Sequence, residues 1–297
     1  MMKKTLFEGV ATALVTPMHE DGSVDYEALD RLVEWQINEG INALVACGTT
    51  GEASTLTDEE HREVIARVVK KANKRVPVIA GTGSNDLDYA LSLTKYACEA
   101  GADAVLVVTP YYNKATQAGL IQMYTKIADA STAPVILYNV PSRTGVNIAP
   151  TTYKALAEHE NIIAIKEANG DISKIVETMS YVNGKVDLYS GNDDQVVPLM
   201  SLGGKGVISV VSNILPAKTV EMTKKCLEGD YHGAAQIQYD LHAIIDSLFC
   251  EVNPIPVKAA TAKMGFGVNT LRLPLTPMSA DKYEKMLTLM RAQGLDV

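Results

Sequence analysis

Up to Ser209, short and nearly unbroken apolar runs alternate with longer stretches whose apolar positions recur every three or four residues. The runs Val10–Thr16, Ala43–Cys47, Val76–Ala80, Ala104–Thr109, Val135–Asn139, Ile162–Lys166, Val186–Ser190 and Gly206–Ser209 predict strands. Unbroken apolar runs suit strands buried on both faces, as in parallel sheets. Between them, Ala28, Leu29, Leu32, Val33 and Ile37 form the stripe of a helix over Tyr26–Asn38. Asp25 is its N-cap and Gly40 lies just past its end. Val64, Ile65, Val68, Val69 and Ala72 mark a helix over Asp58–Ala72, started by a capping box of Thr57 with Glu60. Asp86–Glu99 repeats the scheme, with Asn85 as cap and Gly101 as stop. A strand, a crossover helix and a parallel strand make a βαβ unit.

Eight such strands predict an α/β fold in the form of a closed (β/α)8 barrel. An open doubly wound sheet is the rival. It usually has fewer strands, and Thr16-Pro17-Met18 after the first strand is no dinucleotide-binding loop. After Asn213 the pattern is helical alone, over Ala217–Cys226, Tyr231–Phe249, Val257–Met264 and Ala280–Arg291. The first of these closes the barrel and the others form a C-terminal helical extension. The expected division is a barrel over 1–228 and a helical region over 229–297 packed on it.

Composition narrows the function classes. The 297 residues carry 27 Lys and Arg against 35 Asp and Glu, a net charge of −8. With 47% apolar and 21% charged residues, the balance is that of a globular protein. Nucleic-acid binders need a basic face, and none is visible, since Lys70–Arg75 reads as a solvated helix end. An anionic small substrate needs only one or two well-placed cations. The cysteines Cys47, Cys98, Cys226 and Cys250 follow no metal-ligand spacing and read as reduced. The stretch Met1–Glu8 has no apolar core of the secretory kind, and no run approaches the roughly 18 apolar residues of a membrane helix. The expectation is a cytoplasmic protein with neither a nucleic acid nor a membrane as partner.

In a barrel the active site lies where strands end and the following loops begin. Lys166 finishes the apolar run Ile162–Lys166, where burial disfavours the charged ammonium and a free amine can attack a carbonyl. The bland alternative pairs it with Glu167, but neighbours along a strand face opposite ways. Gly48-Thr49-Thr50-Gly51-Glu52 offers glycines, two hydroxyls and free N–H groups as a carboxylate cradle, or else a tight turn. Tyr138 ends the fifth strand, and Arg143 follows in a loop stiffened by Pro141. Arginine grips a planar carboxylate with two parallel donors, although a surface salt bridge is the plain reading. The pair Tyr111-Tyr112 in Thr109–Lys114 reads as packing anchors before it reads as proton carriers. The loops Ser190–Asp194 and Gly203–Gly206 allow close approach of backbone to a ligand. The five histidines show neither a His-x-x-x-His nor a His/Asp pair that marks a divalent metal. A barrel aldolase stabilises its carbanion through a metal or an imine, so the placement of Lys166 favours the imine.

The segments Gly48–Glu52, Ala80–Gly83, Thr109–Asn113, Leu137–Gly145, Ile165–Ala168, Ser190–Asp193 and Asn253–Lys258, in this order and spacing, resemble the 4-hydroxy-tetrahydrodipicolinate synthase family. The resemblance spans nearly the whole chain. It implies a (β/α)8 barrel with a C-terminal helical region, usually a homotetramer built from dimers and sometimes a dimer. It implies condensation of pyruvate with L-aspartate 4-semialdehyde in diaminopimelate and lysine biosynthesis, with no cofactor besides the imine on Lys166. By resemblance, Tyr138 transfers protons and Thr49 links it to Tyr112, which comes from a neighbouring subunit. Thr50 binds the pyruvate carboxylate, Arg143 receives the carboxylate of the aldehyde, and the backbones of Gly191 and Ile208 line the pocket. Sibling keto-acid lyases such as N-acetylneuraminate lyase share barrel and lysine, and Arg143 is the discriminator. A lysine-effector site of some members would match Ala53, Ser54, Asp58, His61, Asn85, Tyr89 and Tyr111. The lysine-sensitive pattern commonly has histidine in place of Asp58 and glutamate in place of Tyr89, so weak or absent lysine inhibition is expected.

Overall fold

The structure, a computed structural model, describes residues 3–297, so Met1 and Met2 of the N-terminal stretch lie outside the described residues. Eight strands close a parallel barrel in chain order: β1 (Gly9–Ala13), β2 (Ala43–Ala46), β3 (Val78–Gly81), β4 (Ala104–Val108), β5 (Val135–Asn139), β6 (Ile162–Glu167), β7 (Asp187–Ser190) and β8 (Gly206–Ser209). The seam is the β1–β8 pair, running from Gly9↔Gly206 to Thr12↔Ser209. Gly206 sits at φ +154, and a Cβ there would lie 1.8 Å from the Gly9 carbonyl oxygen. The barrel closes there because no side chain stands in the way.

The intervening helices are α1 (Tyr26–Asn38), α2 (Asp58–Ala72), α3 (Leu87–Glu99), α4 (Gln117–Ala130), the single turn α5 (Pro141–Thr144), α6 (Pro150–Leu156), α7 (Ile172–Val182), α8 (Val196–Ser201) and α9 (Pro216–Leu227). Asp25 caps α1 and the Thr57–Glu60 capping box starts α2, both as the spacing predicts. The third helix corrects the expectation. Its cap is Asp86, whose carboxylate accepts from the Tyr89 N–H, and Asn85 stays outside. Both residues are good caps, and the apolar stripe from Leu87 decides the phase. β1 stops at Ala13, three residues short of the expected Thr16. β2 stops before Cys47, whose backbone turns to φ 55.

Two apolar layers result. Inside the barrel lie Ala11, Ala43, Ile79, Leu106, Ile136 and Ile208, with Phe7 stacked on Tyr189 at 4.3 Å between ring centroids. The Tyr189 hydroxyl donates to the Phe7 carbonyl at 2.6 Å, which ties this plug to β7. A second apolar layer fills the space between strands and helices. In β6 the register slips between Ile162 and Ala164, a bulge that sets Ala164 against Ile136 and Lys166 against Tyr138.

Beyond α9, three helices follow: α10 (Tyr231–Leu248), α11 (Ile255–Lys263) and α12 (Ala280–Ala292). α10 packs on α9 and α12, and α11 packs on α10 and α12. Two ion pairs carry this region to the loop after β2 and the start of α2. Lys258 on α11 pairs with Glu52, both side chains being 1% exposed. Arg272 grips Glu60 through both outer nitrogens at 2.6 Å and donates to the carbonyls of Thr55 and Gly22. Among the described residues no helix is long and apolar enough to cross a membrane.

Breaking a buried ion pair by removing one partner leaves an uncompensated charge. Lys258→Met should therefore lower the unfolding free energy by about 3–5 kcal/mol, read from denaturant midpoints. A loss below about 1 kcal/mol would show that Glu52 finds water or another donor.

Candidate active site

The strand pleat decides which residues reach the barrel mouth. Lys166 and Tyr138, opposite each other on β6 and β5, both point inward. The Lys166 Nζ lies 4.1 Å from the centre of the Tyr138 ring. Both residues are 6% exposed. An amine and a phenol thus share one small, nearly dry space, which suits proton transfer at a carbonyl attacked by the amine. Ile208 is buried in the same interior layer.

Glu167, the neighbour of Lys166, faces the other way and cannot neutralise it. Its carboxylate accepts from the Tyr153 hydroxyl at 2.8 Å, from the Asn139 side chain at 2.9 and 3.2 Å, and from the Asn169 N–H at 2.9 Å. Burial pushes its carboxyl up to about 7, against the lowering pull of these donors. The Tyr153 phenol is raised well above its ordinary value by burial and by this carboxylate.

A cavity of about 370 Å³ opens above β2–β5, and its walls include Thr49, Tyr111, Tyr138, Arg143 and Thr144. Arg143 sits on α5, a turn started by Pro141 and tied to β4 by the Thr109–Thr144 hydroxyl bond of 2.9 Å. Thr50 is buried and accepts from the Asn253 side chain at 3.0 Å. The Asn253 carbonyl in turn accepts from Arg143 at 3.1 Å. One residue of the C-terminal region therefore touches both predicted carboxylate binders. Gly191 packs beside β6: its N–H donates to the Glu167 carbonyl at 2.7 Å, and a Cβ would stand 2.8 Å from that of Ala168.

The structure does not gather every expected residue. Tyr112 is 92% exposed at φ +70 and does not line the cavity, and no hydrogen bond joins it or Tyr138 to Thr49 among the described residues. Of the effector positions, Ala53, Ser54, His61, Tyr89 and Tyr111 line the cavity, while Asp58 and Asn85 do not. Asp58 is engaged by Arg62 at 2.7 Å, which holds its carboxyl below the usual range. The Asn85 carbonyl accepts from Asn113. His61 is buried with Nε2 at 2.8 Å from the Gly81 carbonyl oxygen, and burial lowers its pKa.

Sequence reasoning assigned no role to Asn253, Asp193 or the Asn139–Glu167 pair. Asp193 is buried, with one oxygen accepting from the Val210 and Val211 N–H groups at 2.9 Å. Burial raises its carboxyl, and the charge of Lys166 opposes that shift. The signal for these residues is weak, because an acid or amide at a strand end also reads as a turn residue. Among the described residues no group of three or more His, Cys, Asp or Glu could hold a metal ion.

A carboxyl raised by burial takes up its proton more readily in the folded state. Its contribution to stability is full below the unfolded value near 4.5 and is lost as pH rises through about 7. Relative to Glu167→Gln, the parent should lose melting temperature between about pH 5 and about pH 8. A difference that stays flat across that range would mean Glu167 is ionised throughout.

The dihydrodipicolinate synthetase family model matches residues 6–293. A 4-hydroxy-tetrahydrodipicolinate synthase of Acetivibrio thermocellus is 53% identical over 294 residues, covering 99% of this chain and 100% of the relative. The crystal structure of dihydrodipicolinate synthase from Aquifex aeolicus superposes with TM-score 0.96 at 44% identity, covering 98% of this chain and 99% of that one. That of the chloride-inhibited enzyme from Acinetobacter baumannii, complexed with pyruvate, superposes with TM-score 0.95 at 47% identity over the same shares.

Proposed function

The chain belongs to the dihydrodipicolinate synthetase family, and from that premise we propose how its own residues divide the work. The reaction is the condensation of pyruvate with L-aspartate 4-semialdehyde through a Schiff base, giving (2S,4S)-4-hydroxy-2,3,4,5-tetrahydrodipicolinate in diaminopimelate and lysine biosynthesis. The observation that carries the assignment of roles is Lys166, buried at the inner end of β6 with its Nζ 4.1 Å from the Tyr138 ring centre.

The free amine of Lys166 attacks C2 of pyruvate, and the carbinolamine loses water to give the imine. The protonated imine withdraws electrons from the pyruvate methyl group, which gives up a proton by way of Tyr138 and leaves an enamine. The enamine carbon adds to the aldehyde of L-aspartate 4-semialdehyde, whose oxygen becomes the 4-hydroxyl. The amine of that substrate then adds to the imine carbon and expels Lys166, which closes the ring. Two substrates enter, and one product and one water leave. Tyr138 carries protons in these steps, since its phenol shares the buried space with the amine.

Thr50 holds the pyruvate carboxylate: accepting from Asn253 leaves its own hydroxyl hydrogen free to donate. Arg143, on the cavity wall, grips the carboxylate of the aldehyde. Gly191 and Ile208 complete the pocket wall. Thr49 connects Tyr138 to Tyr112 of a second copy of this chain. The exposure of Tyr112 and its left-handed backbone support that reading, because such a conformation in a bulky residue costs about 1–3 kcal/mol and needs outside support. The assembly is a homotetramer of two dimers. The chain is a catalytic barrel over 1–228 with a helical region over 229–297, and it works in the cytoplasm, where its four free cysteines stay reduced. Lysine is a poor effector, since Asp58 is committed to Arg62 and Tyr89 brings no carboxylate.

Borohydride reduction in the presence of pyruvate, followed by peptide mass mapping, tests the central step. A pyruvate-sized adduct is expected on Lys166 and absent from Lys166→Arg; an adduct on another residue overturns the assignment. Arg143→Ala should raise KM for the aldehyde about 10- to 100-fold, as for loss of a charge-assisted hydrogen bond, with the pyruvate KM little changed. An equal effect on both substrates would move Arg143 from a grip on the aldehyde to general support. Millimolar lysine should leave the initial rate nearly unchanged, and strong inhibition would refute the reading of the effector positions.

A further inference from the structure

We propose that Glu167, held by Asn139 and Tyr153, is a positioning residue whose clamp fixes Lys166 in register with Tyr138. The inference rests on the reading that Lys166 forms the imine. The two strands place two pairs side by side: Tyr138 opposite Lys166 and, one residue on, Asn139 opposite Glu167. Alternation sends the first pair into the barrel and the second out behind it. The outer pair is therefore the rear face of the inner one, and a one-residue slip would carry Lys166 out of the barrel altogether.

The rear face is fully engaged. Asn139 donates to both Glu167 oxygens and to the Asn147 side chain at 2.7 Å, and its own side-chain amide oxygen, Oδ1, accepts from the Ile148 N–H at 3.1 Å. Tyr153 donates from α6 at 2.8 Å. All of the clamp is buried: Asn139 is 0% exposed, Tyr153 1% and Glu167 3%. Main-chain bonds continue it, from the Ala168 N–H to the Asn139 carbonyl at 2.9 Å and from the Gly191 N–H to the Glu167 carbonyl at 2.7 Å. Glu167 takes part in no salt bridge among the described residues.

Stability alone does not call for such a group. Val135 and Leu137 on β5 and Ile165 on β6 serve the outer apolar layer well, and a buried carboxylate without a cation is a poor substitute for one more of them. Its distinguishing property is directional: four donated hydrogen bonds admit one alignment of β5 against β6, where apolar packing tolerates several. A reacting amine displaced by about 1 Å loses on the order of 100-fold in rate.

The test measures kcat, the pyruvate KM and the rate of borohydride-trapped adduct formation on Lys166 in Glu167→Ala, Glu167→Gln, Asn139→Ala and the Asn139→Ala/Glu167→Ala double variant. Glu167→Ala should lower kcat and the trapping rate together by about 10-fold or more, with KM within about threefold of the parent. Glu167→Gln keeps acceptors for Asn139 and Asn169 and should recover most of the loss. The double variant should be no slower than Glu167→Ala, as for two members of one unit. If folded Glu167→Ala keeps the parent kcat and trapping rate while only its melting temperature falls, the residue is structural and the proposal fails. It fails also if the losses multiply. Should Glu167→Ala not fold, Asn139→Ala and Tyr153→Phe decide, and parent-like kcat and trapping in both overturn the proposal. A parent enzyme that traps no pyruvate on Lys166 would refute the imine reading itself, whereas equal trapping in parent and variants removes only the clamp.

Discussion

The two-residue period of β6 is the constraint on which the site depends. Within three successive residues it buries Ile165 in the outer apolar layer, aims Lys166 into the barrel and turns Glu167 outward again. The bulge at the start of the strand sets the phase of that alternation. Closure of the sheet makes the setting rigid, because β6 has neighbours on both sides and no free edge along which to slide. Lys166 is then held in a largely apolar interior, with the buried Asp193 within electrostatic reach and the packing of the whole barrel around it.

Buried charge elsewhere follows a consistent rule. Lys258 and Glu52 neutralise each other where the helical region meets the loop after β2. Asp193 spends one carboxylate oxygen on two backbone N–H groups at the end of β8, and Glu167 is surrounded by donors. Asp193 and Glu167 lie at or near the ends of strands, where the chain leaves regular pairing and has backbone and side-chain donors to offer. The barrel interior proper is left apolar. The polar groups therefore organise the loops and the rim, and they leave Lys166 as the one basic side chain of the inner layer at β6 with Tyr138 beside it.

The architecture was legible because its signals are local. β5 and β8 match their expected limits to the residue, with Pro134 before β5 and Gly203-Gly204 before β8 as turn signals. Where two signals of equal strength adjoin, position is lost: Asn85 and Asp86 are both good caps, and only the phase of Leu87, Ala90 and Leu93 selects Asp86. Lys166, the threonine cradle and Arg143 could be singled out as candidates for the same reason, each standing at or shortly after the end of an apolar run. Tyr112 and Thr49 gained their roles from family resemblance alone, since a tyrosine in a loop reads as packing. Asn253 was beyond reach. Its meaning lies in contacts with Thr50 and Arg143, hundreds of positions and a hundred positions away respectively, and no periodicity encodes such a pairing.

The site divides into parts of unequal rigidity, and the division bears on how specificity is set. Lys166 and Tyr138 stand on adjacent strands of a closed sheet, so their separation is nearly a property of the fold. Arg143 stands on a single helical turn outside the sheet, held by the Thr109–Thr144 bond and by the carbonyl of Asn253. On the proposed reading the first pair handles the keto acid and the second element meets the acceptor. Changing the acceptor therefore asks for changes in α5 and in the segment around Asn253, while the strands are left alone. Because Asn253 also bonds to Thr50, such changes reach Thr50, the proposed binder of the pyruvate carboxylate, as well. On the proposed roles of Arg143 and Thr50, acceptor choice and keto-acid binding are in this way coupled through one residue of the C-terminal region.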